Sequence, residues 1–90
     1  MEPMRITADG HTVRLSGELD VVTADAVTQA VARLIDPREI DLSDVTFMDS
    51  SGLHALLRLR SIRQLRINNP LPPVLRVVEL TGTADLLFAN

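Results

Sequence analysis

Residues 40–53 read IDLSDVTFMDSSGL, and a change of rhythm inside them decides the fold. In REIDLSDV (38–45) the period is two: Ile40 and Leu42 point one way, Asp41 and Ser43 the other, as in a strand. From Ser51 the spacing turns helical, with Leu53, Leu56, Leu57 and Ile62 on one stripe of SGLHALLRLRSIRQL (51–65). A strand that turns an Asp-Ser-Ser-Gly corner into a helix is the joint from which α/β layers are built.

The segments on either side extend the pattern. TADAVTQAVARLI (23–35) places Val27, Ala30, Val31, Leu34 and Ile35 on one helical face. Thr23 is its expected N-cap, Asp25 suits its first turn, and Pro37 stops it. MRITA (4–8) and TVRLSG (12–17) alternate as strands, and Asp9-Gly10 supplies a two-residue hairpin turn. Strand, helix and strand in this order predict a βαβ unit with a right-handed crossover. QLRIN (64–68) reads as a short strand closed by NNP. PPVLRVVELTG (72–82) has strand-like Val and Leu content, but Val74, Val77, Val78 and Thr81 keep helical spacing. Pro73 suits a first helical turn and Gly82 the position after a last one, so a helix is predicted. DLLFA (85–89) is predicted as the final strand. The expectation is one α/β domain over residues 1–90, a mixed sheet of about five strands with helices packed on it and a short C-terminus.

Composition narrows the function classes. The chain has 90 residues, a net charge of −3, two Phe and no Trp or Tyr, so stacking of nucleic-acid bases on aromatic rings has little to draw on. Ten of the twelve acids precede residue 50 while the nine Arg divide four and five about it, an asymmetry that argues against general nucleic-acid affinity. The absence of Cys excludes a disulfide scaffold, thiol catalysis and Cys-ligated zinc. His11 and His54 stand in no metal-ligand spacing, so neither a metal nor a cofactor is expected. With no long apolar run and no signal-peptide pattern at the N-terminus, a cytoplasmic domain without membrane contact is the expectation.

Two short motifs could carry chemistry. In DSSG (49–52), Ser50 is a hydroxyl at a helix N-terminus, where backbone N–H groups and the dipole tolerate a phosphoryl group. Asp49 and Ser50 are equally good N-caps, which gives the motif a purely structural reading as well. In GELD (17–20), Glu18 and Asp20 could flank the same sheet edge as Ser50. Paired carboxylates can serve acid–base chemistry given a cleft, and otherwise form a solvated loop. Neither His sits near a recognisable Ser or Asp partner, and GxSxG and P-loop patterns are missing, so no catalytic residues are assigned. Arg58, Arg60, Arg63 and Arg66 read either as a basic docking patch or as favourable charge at a helix C-terminus.

Taken together, LSGELD (15–20), IDLSDVTFMDSSGL (40–53) and VVELTG (77–82) resemble the STAS domain family, specifically its stand-alone bacterial anti-sigma factor antagonists. The resemblance covers nearly the whole chain in the right order. It implies a STAS fold and a non-enzymatic role in partner switching, a form of transcription regulation used in stress responses. In that family the unphosphorylated antagonist binds a serine kinase that doubles as an anti-sigma factor, and the sigma factor is freed. The kinase then phosphorylates the antagonist with ATP, the complex dissociates, and a PP2C-like phosphatase restores the active form. By position in the motif, the resemblance makes Ser50 the phosphate acceptor. It places Glu18, Asp20, Asp49, Ser50, Ser51, Gly52 and His54 at the partner surface, with Gly52 expected to clear space for the partner. Three departures stand out: a short DPRE link before the third strand, no glycines before the fourth strand where the family usually has them, and no sign of the family's usual final helix. An alternative within the same fold is a STAS subunit of a phospholipid-trafficking ABC transporter, which needs no phospho-acceptor.

Overall fold

The structure is a computed structural model that describes residues 4–88. Its elements run β1 (Met4–Asp9), β2 (Thr12–Leu19), α1 (Ala24–Ala32), β3 (Glu39–Met48), α2 (Ser50–Arg63), β4 (Arg66–Asn68), α3 (Pro72–Leu80) and α4 (Ala84–Phe88). The sheet has the order β1-β2-β3-β4, with β1 antiparallel to β2 and the other two pairings parallel. The predicted strand–helix–strand unit is therefore present as β2–α1–β3.

Alternation sets the layers. Val13, Leu15, Ile40, Leu42 and Ile67 are buried on one sheet face against Val27 and Val31 of α1, Leu53, Leu56 and Leu59 of α2, Val74 and Val78 of α3, and Leu87 of α4. Arg5, Thr7, Arg14 and Arg66 lie on the other face, exposed. Strict alternation fails along β3 because it carries an extra residue between Asp41 and Asp44 and another between Val45 and Phe47, relative to β2. Each bulge resets the facing of the next residues. Ile40, Leu42, Val45 and Met48 thus all point inward, and the strand delivers Asp49 to the C-terminal end of the sheet.

The structure corrects the sequence reading in several places. The sheet has four strands among the described residues, because 84–88 form a helix rather than a fifth strand. Its inward residues are Ala84, Leu87 and Phe88, a helical spacing, while Leu86 is exposed. Ala89, the last residue of the predicted strand, lies outside the described residues. The chain therefore does carry a closing helix. The hairpin turn is shifted by one: Asp9 pairs with Thr12, so the central residues are Gly10, at φ +63°, and His11. Gly at the first central position with φ positive is the type II′ arrangement. α1 stops at Ala32, which leaves Ile35 outside the helix and exposed, and Ile62 on α2 also faces solvent.

Other expectations hold. α3 starts on Pro72-Pro73 and ends with Gly82 at φ +71°. There the N–H of Thr83 donates to the Val78 carbonyl and that of Gly82 to Glu79, a full Schellman closure.

Candidate functional site

Parallel pairing puts the C-terminal ends of β2 and β3 side by side, with Leu19 opposite Met48. The two motifs singled out in the sequence, GELD and DSSG, therefore leave the sheet together, at the strand ends where open α/β sheets characteristically place ligands and partners.

Asp49 joins them. Its Oδ1 accepts the Gly52 N–H at 3.0 Å and caps α2, while its Oδ2 accepts the Val21 N–H at 3.2 Å from the β2–α1 loop. Its own N–H donates to the Leu19 carbonyl. Asp49 alone is thus the N-cap, and neither Ser50 nor Ser51 uses its hydroxyl for a hydrogen bond among the described residues. Ser50 is the first residue of α2 and is exposed; Ser51 is half-buried.

Asp20 shapes the neighbouring loop. Its Oδ1 accepts the N–H groups of Val22 and Thr23 at 3.0 and 3.2 Å, and its carbonyl accepts from Thr23 and Ala24, which starts α1. Thr23 is 2% exposed, and its hydroxyl accepts the Asp20 N–H and donates to the Glu18 carbonyl at 2.7 Å. Thr23 thus occupies the predicted N-cap position of α1, but its hydroxyl ties the loop back onto β2 and makes no cap hydrogen bond to the helix. Glu18 is exposed and its carboxylate makes no ion pair among the described residues. The loop leaves Val21 and Val22 exposed to 70% and 74%, an apolar tip held to the start of α2 through the Val21–Asp49 hydrogen bond.

Gly52 is buried, and the reason is internal. A Cβ built there would lie 2.2 Å from the Leu19 carbonyl oxygen, so α2 approaches the end of β2 too closely for any side chain. The sequence reading, which assigned this clearance to a partner, missed that contact because Leu19 and Gly52 are distant in the chain. His54 is exposed one turn beyond Ser50. With Ser51, Asp25, Thr28 and Arg58 it lines a polar groove of about 260 Å³ between α1 and α2.

The basic cluster divides. Arg63 donates to the Ala32 and Leu34 carbonyls at the end of α1, Arg60 to the Leu65 carbonyl at 2.8 Å, and Arg66 lies 3.8 Å from Glu39. These are helix-terminus and sheet contacts, in line with the structural reading of that run. His11 is a turn residue: its Nδ1 lies 2.8 Å from the Asp36 carbonyl oxygen. Among the described residues, no cluster of His, Asp and Glu could hold a metal ion, and no helix is long and apolar enough to cross a membrane.

The start of α2 thus combines an exposed Ser50 hydroxyl at the positive end of a helix with the Asp49 carboxylate that caps it, and the β2–α1 loop carrying Asp20 is tied to that corner through the Val21 N–H. Comparison with known proteins gives this arrangement a context. The STAS domain profile matches residues 3–90. The chain belongs to the STAS domain family. An anti-sigma F factor antagonist of Paenibacillus polymyxa is 38% identical over 85 residues, covering 83% of this chain and 73% of that protein. Among solved structures, an anti-sigma factor antagonist from Mycobacterium paratuberculosis superimposes with a TM-score of 0.75 at 26% identity, over 97% of this chain and 85% of that one. The anti-sigma factor antagonist SpoIIAA in its unphosphorylated form gives 0.65, also at 26% identity, over 88% and 80%. The resemblance read from the sequence thus names the right family, and this STAS domain has anti-sigma factor antagonists as its relatives.

Proposed function

We propose that this STAS domain is an anti-sigma factor antagonist switched by phosphorylation of Ser50. Unphosphorylated, it binds a serine-kinase anti-sigma factor in the cytoplasm and frees the sigma factor; the kinase transfers the γ-phosphoryl group of its ATP to the Ser50 hydroxyl, and binding is lost. A PP2C-like phosphatase reverses the step. The chain itself performs no catalysis.

The observation that carries this reading is the division of labour at the start of α2. Because Asp49 supplies the cap, the Ser50 hydroxyl is exposed and unengaged, and a kinase can reach it without unfolding the helix. The N–H groups of the first helical turn and the helix dipole stabilise a phosphoryl group there, so the fold survives modification. The partner meets the added charge of about −1.5 to −2 next to Asp49, Asp20 and Glu18. Concentrated like charge at an interface costs affinity through repulsion and desolvation. Val21 and Val22 provide the apolar contact that the unphosphorylated surface offers. Asp20 acts mainly by holding that loop in shape, since Val22 and Thr23 donate to its carboxylate.

The test is incubation with candidate serine-kinase anti-sigma factors and ATP, followed by mapping of phosphate by mass spectrometry. Ser50→Ala should abolish incorporation while retaining kinase binding. Ser50→Asp should weaken binding by about tenfold or more, measured by calorimetry. Phosphate at another residue, or equal affinities for the two variants, would sink the proposal.

A further inference from the structure

The sheet has two edges of unequal character. β4 offers three residues, whereas β1 presents the whole of Met4–Asp9, and among the described residues its only strand partner is β2. A six-residue edge is a template for another strand unless it is blocked. The β1 edge has no proline and no bulge against β2.

Which backbone groups it offers follows from the turn. The loop Gly10-His11 has two residues, so Asp9 and Thr12 flank it as a hydrogen-bonded pair. Alternation then makes Thr7–Arg14 and Arg5–Ser16 hydrogen-bonded as well. The N–H and C=O groups of Met4, Ile6 and Ala8 therefore point away from β2 toward the free edge.

A second β1, added antiparallel about a two-fold axis, must match these groups and keep like faces together. Of the registers that do so, two pair as many as five residues of the strand: Ile6 opposite Ile6, or Thr7 opposite Thr7. In the first, Arg5 faces only Thr7. In the second, Arg5 faces Asp9 of the second copy and Asp9 faces its Arg5, while Ile6 faces Ala8 twice. Arg5–Asp9 and Thr7–Thr7 are then non-hydrogen-bonded pairs, in which opposing side chains approach most closely. Asp9 is exposed and has no ion pair within its own chain among the described residues. Ile6, only half-buried by its own core, gains a neighbour on the helix side.

We infer that this protein self-associates through β1, with the two-fold axis at Thr7, into a continuous eight-stranded sheet. The register places the two Ser50 corners at opposite ends of that sheet, so each remains open to its own partner. The contact is short, which puts it at the small end of specific interfaces and makes the dimer weak and concentration-dependent.

Sedimentation velocity from about 10 μM to about 1 mM reads this directly. Arg5→Glu sets two acids against each other and Asp9→Arg two cations, so each variant should be monomeric across the range. The double variant should regain the wild-type dimer. An equimolar mixture of the two single variants should form a heterodimer, because each then supplies the charge that the other lacks. Thr7→Arg, which sets two cations on the axis, provides an independent route to the monomer if either charge reversal folds poorly by circular dichroism. A wild-type chain that stays monomeric at the highest concentration overturns the inference. So does a dimer indifferent to these substitutions, or a mixture that stays monomeric.

Discussion

The smallest residue at the site is the most constrained. Gly52 has φ in the ordinary helical range, so conformational freedom is not what requires glycine; the Leu19 carbonyl, 2.2 Å from a would-be Cβ, is. Gly52→Ala must push α2 away from the end of β2, and the obstacle is backbone that no rotamer change can move. The expected cost is about 2 kcal/mol or more, read as a lower urea midpoint with an unchanged slope. At the same scale, the paired serines turn out not to share the capping work between them. The sequence allowed Asp49 or Ser50 as the cap; geometry gives the cap to Asp49 and leaves both hydroxyls unengaged. That assignment could not be read from spacing, because Asp, Ser and Thr all satisfy the same orphan N–H groups.

Among the elements, most were legible, the short strands β1 and β4 included, and the last one was not. α2, β2 and β3 declared themselves, and α3 did so through Pro72-Pro73 and Gly82. Residues 84–88 did not: in five residues, two Leu and a Phe fit either period, and only the burial of Ala84, Leu87 and Phe88 against the core, with Leu86 outside, decides between them. Likewise, Ile35 and Ile62 extend their helical stripes on paper, yet α1 ends before the first, and the second lies at the end of α2, beyond the core. The end of α2 carries a stability reserve. Gln64 closes the helix at φ 55°, ψ 41°, a left-handed conformation that costs a residue with a Cβ about 1 kcal/mol. Gln64→Gly should therefore raise stability by roughly 0.5–1 kcal/mol, seen as a melting temperature higher by a few degrees.

At the scale of the whole molecule, the fold is a slab of 34 × 32 × 19 Å with one sheet face under helices and the other polar. At the centre of the polar face lies Asp41, nearly buried and unassigned by the sequence reading beyond its outward direction. Burial raises its pKa, but hydrogen bonds from Ser43, Asn69 and Arg14 more than offset this and leave it below the ordinary carboxylate value. A carboxyl with a lowered folded pKa stabilises the native state fully above its unfolded pKa, and that contribution fades as pH falls through the folded value. Wild type should therefore exceed Asp41→Asn in stability at neutral pH, with the gap closing below about pH 4, as followed by urea titrations across pH. The corner at the other end of the slab has a dynamic consequence. Asp49 holds the amide of Val21 with one oxygen and that of Gly52 with the other, so neither proton can exchange with solvent at full rate while the carboxylate stays seated. Native-state hydrogen–deuterium exchange should find these two amides, 31 positions apart in sequence, opening with one shared free energy, and Asp49→Ala should unprotect both at once. The loop tip and the helix start would then behave as a single latch, released or held by one side chain.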